Sequence, residues 1–521
     1  MEKSHVQAAA LAVIPVVLII LAFSFVRSLG GFDDDPEYAY LLNSLMILKL
    51  QLPFYFWHPG TTLHLLGAGV IALVWFARWP FGHSGLQFDV LQHPELYLRC
   101  INAALVVAIG VACFLLGWCL RSASKSLAIG VIGQAVVLTS YPALSALSRV
   151  SPEPLLLCLS MLLVAILAPQ LIAPEPRLER RPLALLAGAT VAACVATKLT
   201  AIPLVFMLLL LGTVRMQIVS GIAAVITFIV LTLPIAPHYH SMMSWFANQI
   251  LRNGFYGSGE VAVPSLGTIA YGVGQIATAA PELIVALAGC LIMLLCAPTK
   301  RVFAVCAIII AVQIAVVAKE PRARYLLPAT AAVMMAVAVA AYQLMGGSSV
   351  RRMATLTACG LVLGVGVWRN TEAMTQEIRI HSVARGENRA LMAQFATSGC
   401  DIIPYYNAIE STEFKLAYGD WWAGGTFGVA LAEIYPEFLT YRFVTGHFET
   451  YEKQLDAIEA RTRLAREKCV YLVGSPIETF DDNMGIPAAA LTKVAATGRD
   501  LGLGYSLAVY QLHTDLLMDS N

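Results

Sequence analysis

Three adjacent aspartates, Asp33, Asp34 and Asp35, precede Pro36, Glu37 and Tyr38 in a loop that runs on to Trp57-His58-Pro59. Like charges crowded this closely raise the pKa of at least one carboxyl unless a cation is near, the condition wanted of a proton acceptor or a metal site. The same residues also suit an acidic helix cap with proline at the first helical position, and the pattern alone leaves both readings open. Opposite charges cluster elsewhere. In "KEPRARYLLPA", Lys319, Arg322 and Arg324 fall within six residues beside a single acid, Glu320. Arginines grouped this way at the mouth of an apolar run are natural partners of a phosphate or pyrophosphate. Lys198 lies between two apolar runs and must either snorkel outward or find an anion.

Two further groups are more ambiguous. The segment from His238 to Gly259 carries His238, His240, Trp245, Arg252 and a glycine-rich turn. Its histidines are two residues apart and cannot share a helix face, which argues against a helical zinc site. Its aromatic and polar side chains suit a sugar or lipid head group, or equally an interfacial helix followed by a turn. "SRVSPEP", with Arg149, Ser151 and Glu153, reads as a turn with a capped helix start. No phosphate-cradling P-loop, dinucleotide fingerprint or nucleophile elbow is present, and nothing points to nucleic acid.

The elements that must position these residues are set by composition. Of 521 residues, 58% are hydrophobic and 13% are charged, against about 25% charged in a soluble domain, and mean hydropathy is +0.71. Residues 1–368 hold 21 Lys/Arg and 13 Asp/Glu, net +8, whereas 369–521 hold 13 and 20, net −7. That step predicts a membrane domain over 1–368 and a water-soluble domain over 369–521. Eleven runs are long and apolar enough to be read as spans: 7–26, 100–120, 126–145, 154–173, 182–197, 200–214, 217–236, 278–297, 302–318, 325–345 and 353–368. A twelfth run, 59–79, is bordered by Trp57, His58, Trp75, Arg78 and Trp79, and is read as an interfacial or re-entrant helix. With that parity, eleven basic residues fall in short loops on the N-terminal side and five on the other, so the N-terminus is placed in the cytoplasm. Ten of the thirteen acids of the membrane part, and all of 369–521, then lie outside. Nine of eleven cysteines sit in or beside apolar runs. Only Cys400 and Cys469 fall in the polar part, where an oxidising compartment would allow them to pair.

A carboxylate cluster and several cations at one membrane surface match a reaction between a lipid phosphate and a nucleophile, with cations binding the phosphate and a carboxylate taking the proton. These residues resemble the GT-C superfamily of membrane glycosyltransferases, closest to family 39, which includes protein O-mannosyltransferases and lipid A aminoarabinose transferases. The family's Asp-Glu-x-x-Tyr-Ala motif is matched by Asp34, Asp35, Tyr38 and Ala39. His58-Pro59 matches its His/Lys-Pro-Pro motif, with Gly60 in place of the second proline. Arg99, the Thr197-Lys198-x-Thr200 segment and Arg324 to Pro328 match three further motifs in order. The resemblance covers roughly residues 30–330.

It implies an α-helical polytopic fold with first-loop helices lying on the membrane, and inverting transfer from a polyprenyl-phosphate-linked sugar. Asp34 falls at the position of the general base, with Asp35 as alternate base or metal ligand. His58, Lys198, Arg322 and Arg324 are expected to hold the donor phosphate, and Tyr38, Glu37, Arg252 and Tyr325 to position substrate. Some members use a divalent metal such as Mg or Mn and others do not; Asp33 and Asp35 are the candidate ligands here. The acceptor, whether lipid, protein or glycan, is not encoded in any transferable pattern. A lipid-linked glycan flippase is the rival expectation, although such transporters are commonly built from repeated halves and no internal repeat is visible. The C-terminal part alternates strand-like "CDIIPYY", "KLAYG", "CVYLVG" and "YSLAVYQL" with helix-like "TFGVALAEIY" and "ETYEKQLDAIEARTRLAREK", which predicts a small α/β domain. Its Asp420-Trp421-Trp422 loop is read either as a glycan contact or as core or an interface with the membrane part.

Overall fold

The computed structural model describes residues 2–24, 37–81, 85–172, 180–254, 257, 259–262, 265–346, 348–405, 411–442, 447–464, 469–474, 491–497 and 507–513. The triple-aspartate segment Asp33–Asp35 therefore lies outside the described residues. The chain divides into two compact units. The first comprises Met1–Val26, Ile47–Val70 and Cys100–Met374, and the second comprises Arg27–Met46, Ile71–Arg99 and Thr375–Asn521.

Among its described residues the first unit is built of helices joined by loops, with one isolated bridge between Arg252 and Val261. Seven of the eleven expected spans are helices that meet the length and apolarity needed to cross a membrane: His5–Ser24, Pro94–Ser124, Pro152–Ile172, Val214–Leu251, Lys300–Val317, Ala323–Met345 and Ser349–Ala396. Thr61–Arg78, expected to lie in the interface, meets the same test and makes eight. The run at 278–297 is Pro281–Cys296, which follows Leu266–Ala279 across a 100° bend, and this pair makes up to nine. The other three runs are shorter helices, Leu127–Thr139, Arg181–Thr197 and Leu199–Leu210. The last of these is a 3-10 run broken from its predecessor at Lys198, with Pro203 inside it. Close approach is secured by small residues: a Cβ on Gly188 would stand 2.1 Å from the Ser220 carbonyl oxygen, so the Arg181–Thr197 and Val214–Thr232 helices pack backbone to backbone.

The last long helix, Ser349–Ala396, contains no proline and runs 48 residues without a break. The charge step at 368/369 falls inside it, as does the division between units at Met374. The second unit is thus assembled from two parts of the first loop as well as the C-terminal chain.

Among the described residues of that unit six strands form: β1 (Asp401–Pro404), β2 (Thr440–Arg442), β3 (His447–Glu449), β4 (Val470–Gly474), β5 (Leu491–Ala496) and β6 (Ala508–Leu512). A four-stranded sheet has the order β1-β4-β6-β5, and β2-β3 is a separate antiparallel pair. β1 runs parallel to β4, while β6 is antiparallel to both of its neighbours. Cys400 and Cys469 form a disulfide at the start of the β1–β4 pair, with Cα atoms 4.9 Å apart. "KLAYG", expected as a strand, is instead the middle of the Thr412–Trp421 helix. Ser411 caps it, accepting the Phe414 N–H at 3.2 Å, and Glu413 occupies the favoured acidic position of the first turn. Here capping overrides a β-leaning composition. The helix packs on the first-loop helix Glu37–Leu48: a Cβ on Gly419 would stand 2.8 Å from Tyr38 Cβ, and the Asn43 amide donates to the Trp422 carbonyl at 3.1 Å.

Candidate active site

The break between Arg181–Thr197 and Leu199–Leu210 leaves Lys198 in an extended conformation, φ −158° and ψ 128°. Its ammonium forms an ion pair with Glu153 in the first turn of the Pro152–Ile172 helix. Both side chains are 3% exposed. An ionised pair is tolerated at such depth only when each charge meets its partner directly. Glu153 also gains from the helix N-terminus. The Lys198 ammonium lies 4.7 Å from the centre of the Tyr325 ring, and the Arg324 guanidinium lies 5.4 Å from the same ring. One tyrosine therefore gathers two cations from distant parts of the chain. Its backbone is anchored by the Gln313 amide, which donates to the Tyr325 carbonyl at 2.6 Å.

His58 joins this group from the first loop. Its Nε2 is 3.3 Å from the Tyr55 hydroxyl, and its ring meets Trp245 edge to face at 5.8 Å. Burial lowers its pKa to about 3, and the nearby positive charges of Lys198 and Arg324 add to the effect against an opposing contribution from Glu153. The imidazole is a neutral hydrogen-bonding group, not a third cation. Gly60 explains how the loop returns into the Thr61–Arg78 helix: at φ +60° its carbonyl accepts from Leu63 and His64 at 3.0 and 3.1 Å. Proline is locked near φ −65° and could not take this conformation, so the departure from the family's second proline is a conformational requirement. Thr62 and Thr197 hydroxyls meet at 2.7 Å and tie that helix to the residue before Lys198.

Four expected residues, His58, Lys198, Arg324 and Tyr325, are thus brought together. The remaining ones have other surroundings. Arg322 pairs with Glu320 at 2.8 Å. Arg252 braces its own turn, donating to Asn248 at 3.2 Å and to the Gly259 carbonyl at 3.0 Å. Lys319 donates to the carbonyls of Gln249 and Arg252. Tyr38 and Glu37 belong to the second unit, where Tyr38 is 2% exposed. Its hydroxyl pKa is raised, chiefly by burial and then by Glu95 and Glu37. Asp33, Asp34 and Asp35 lie outside the described residues, and among those described no three His, Cys, Asp or Glu side chains gather as a metal site would need. In the second unit, Asp420 is 3% exposed and accepts the Phe427 N–H at 2.9 Å. Trp421 packs against Tyr418, with Arg442 4.4 Å above its ring. The Asp420-Trp421-Trp422 segment is therefore built into this unit's own packing.

Glu153 is the residue that sequence reasoning passed over, as part of a capped turn. The signal lies in a combination: Lys198 needs either a path outward or an anion, and Glu153 is an acid expected on the same membrane face.

The chain has a multi-pass helical fold of the GT-C type. One solved structure that shares it is ArnT from Cupriavidus metallidurans in the apo state, with a TM-score of 0.53 and 12% identity, covering 96% of this chain and 97% of that one. ArnT from the same organism bound to undecaprenyl phosphate matches over the same shares of each chain, at a TM-score of 0.43 and 13% identity. No family model and no curated protein matches the sequence.

Proposed function

We propose that this chain transfers a sugar from a polyprenyl-phosphate-linked donor to an acceptor at the outer face of the cytoplasmic membrane, with inversion. The observation that carries the reading is the gathering of Lys198, Arg324, Tyr325 and His58 inside a GT-C fold. Two cations and a neutral histidine form a donor-rich group suited to a phosphate leaving group. In this scheme Glu153 holds Lys198 in the absence of donor, and the phosphate takes over part of that pairing when donor binds. Asp34, at the family's base position, removes the proton from the acceptor hydroxyl as the anomeric carbon–phosphate oxygen bond breaks. Asp35 is the alternate base, Arg322 reinforces the phosphate site, and Tyr38, Glu37 and Arg252 position substrate. A divalent ion held by Asp33 and Asp35 would stabilise the departing phosphate.

The Cys400–Cys469 disulfide supports placing the C-terminal chain in an oxidising compartment, and hence outside. The basic bias of the opposite loops supports the same orientation. The test uses purified full-length protein with a synthetic polyprenyl-phosphate sugar and membrane extract as acceptor source, with and without chelator. Release of polyprenyl phosphate is expected to require extract, Asp34 and Lys198. Turnover retained in Asp34→Asn removes that residue from the mechanism, and donor binding without turnover under every condition favours the flippase.

A further inference from the structure

The second unit contains an open cavity of about 370 Å³ lined by Arg78, Gln92, His93, Pro94, Glu95, Leu96 and Thr412. None of these residues has a role in the reading above. The walls come from two distant parts of the chain, the first loop and the helix that begins at Thr412. Arg78 is held rigidly at one side. Its Nε and Nη2 donate to the two oxygens of Asp89 at 3.1 and 3.0 Å, and Asp89 is 1% exposed and also accepts from the Tyr97 hydroxyl. Among the described residues Nη1 has no partner, and 32% of the Arg78 side chain remains exposed. On the other side Glu95 is paired with Arg99 at 3.5 Å.

The charge balance decides what such a cavity prefers. Arg78 is cancelled by Asp89, and Glu95 by Arg99, so an ionised ligand gains little net attraction. What remains is a recess of little net charge, with donors on Arg78 and His93 and an acceptor on Glu95. Pro94 and Leu96 supply apolar surface, and more of the exposed lining is apolar than polar. Donors and an acceptor beside an apolar surface are complementary to a ring that carries hydroxyls at its edge and C–H groups on its face, and the volume lies in the range of small-ligand pockets, with room for a mono- or disaccharide. The geometry points to a binding site for an uncharged sugar, which makes the acceptor of the reaction a neutral glycan. The role as acceptor rests on the glycosyltransferase reading; sugar binding does not.

The test is saturation-transfer NMR on the full-length protein in nanodiscs, with maltose, cellobiose, chitobiose, glucose, glucose 6-phosphate and glucuronic acid as probes. At least one neutral sugar is expected to receive saturation. Its affinity should fall about tenfold or more, the equivalent of losing one or two hydrogen bonds, in Thr412→Trp, which fills part of the cavity, and in Glu95→Met, which removes the acceptor at similar size. Because Glu95 and Arg99 are both well exposed, breaking their pair should not disturb folding. The proposal is overturned if no neutral sugar receives saturation, if both variants bind as the parent does, or if the phosphorylated and carboxylated sugars bind more tightly than glucose. Polyprenyl phosphate binding, measured in parallel, separates the two ideas. Its retention in Lys198→Met counts against the donor site while leaving the sugar pocket standing, and sugar binding unaltered by both pocket variants does the reverse.

Discussion

Removing either half of the Lys198–Glu153 pair should be costly, and the two halves should not cost the same. Both side chains are 3% exposed, so a single substitution strands a buried charge, for which the usual penalty is about 3–5 kcal/mol. Arg324 breaks the symmetry. In Lys198→Met the Glu153 carboxylate still has Arg324 and the helix N-terminus to stabilise it, which places this variant at the lower end of that range. In Glu153→Gln the Lys198 ammonium is left with another cation, Arg324, against the same Tyr325 ring, which places it at the upper end. The double variant removes both charges together and should cost less than the sum of the singles, with a coupling energy of about 2–3 kcal/mol. Thermal unfolding of the detergent-solubilised protein, followed by tryptophan fluorescence, supplies the ranking.

The same variants carry a functional readout. If an anionic donor competes with Glu153 for the cations, polyprenyl phosphate should stabilise Glu153→Gln more than the parent protein. A ligand at a hundred times its Kd contributes about 2.7 kcal/mol, enough to recover much of the loss. Lys198→Met should show little of this rescue. Additive single variants would refute the pairing argument. Equal stabilisation of Lys198→Met and the parent by polyprenyl phosphate would refute the phosphate assignment.

Three further outcomes follow from the second unit. The Cys400–Cys469 bridge closes a separation of 69 residues, so Cys400→Ser/Cys469→Ser should lower stability by about 4 kcal/mol on loop-closure grounds, and a reductant should lower the melting temperature of the parent but not of this variant. Gly419→Ala places a methyl 2.8–2.9 Å from Tyr38 Cβ and carbonyl carbon; the resulting overpacking should cost about 1–3 kcal/mol, visible as faster hydrogen exchange in the 37–48 and 412–421 helices. Burial pushes the Asp420 carboxyl up to about 6, against a smaller opposing effect of the Phe427 N–H. The folded state therefore binds this proton more tightly than the unfolded chain, and stability should fall as pH rises from about 4 through 6, by roughly 3 kcal/mol at most. Asp420→Asn should remove that slope from melting curves while keeping the hydrogen bond, and an unchanged slope would assign it to another group.

The helical membrane architecture could be read in the sequence because apolar length is a local property, and all eleven runs read as spans are helical in the described structure. The limits of that reading are physical. Thr61–Arg78 is apolar enough to cross and yet bordered by interfacial residues, and these two local signals point opposite ways. "KLAYG" leans toward strand by composition, but Ser411 and Glu413 just before it supply a helix start, and the cap prevails. In the candidate site, His58, Lys198, Arg324 and Tyr325 could be listed because charge in an apolar chain is conspicuous. Their arrangement could not, because Tyr325 mediates it through ring contacts that leave no trace in spacing. Glu153 shows the same limit most sharply. Beside Ser151 and Pro152 it resembles any first-turn acid, and only the pairing with a lysine 45 residues away turns a cap into part of the site. Gly60 works in the opposite sense: as a motif residue it looks like divergence, while its φ of +60° shows that the loop carrying His58 requires it. A motif compares residue types, whereas this site depends on one backbone angle and one buried pair. Gly60→Pro should therefore disable the His58 loop even though it restores the family's motif.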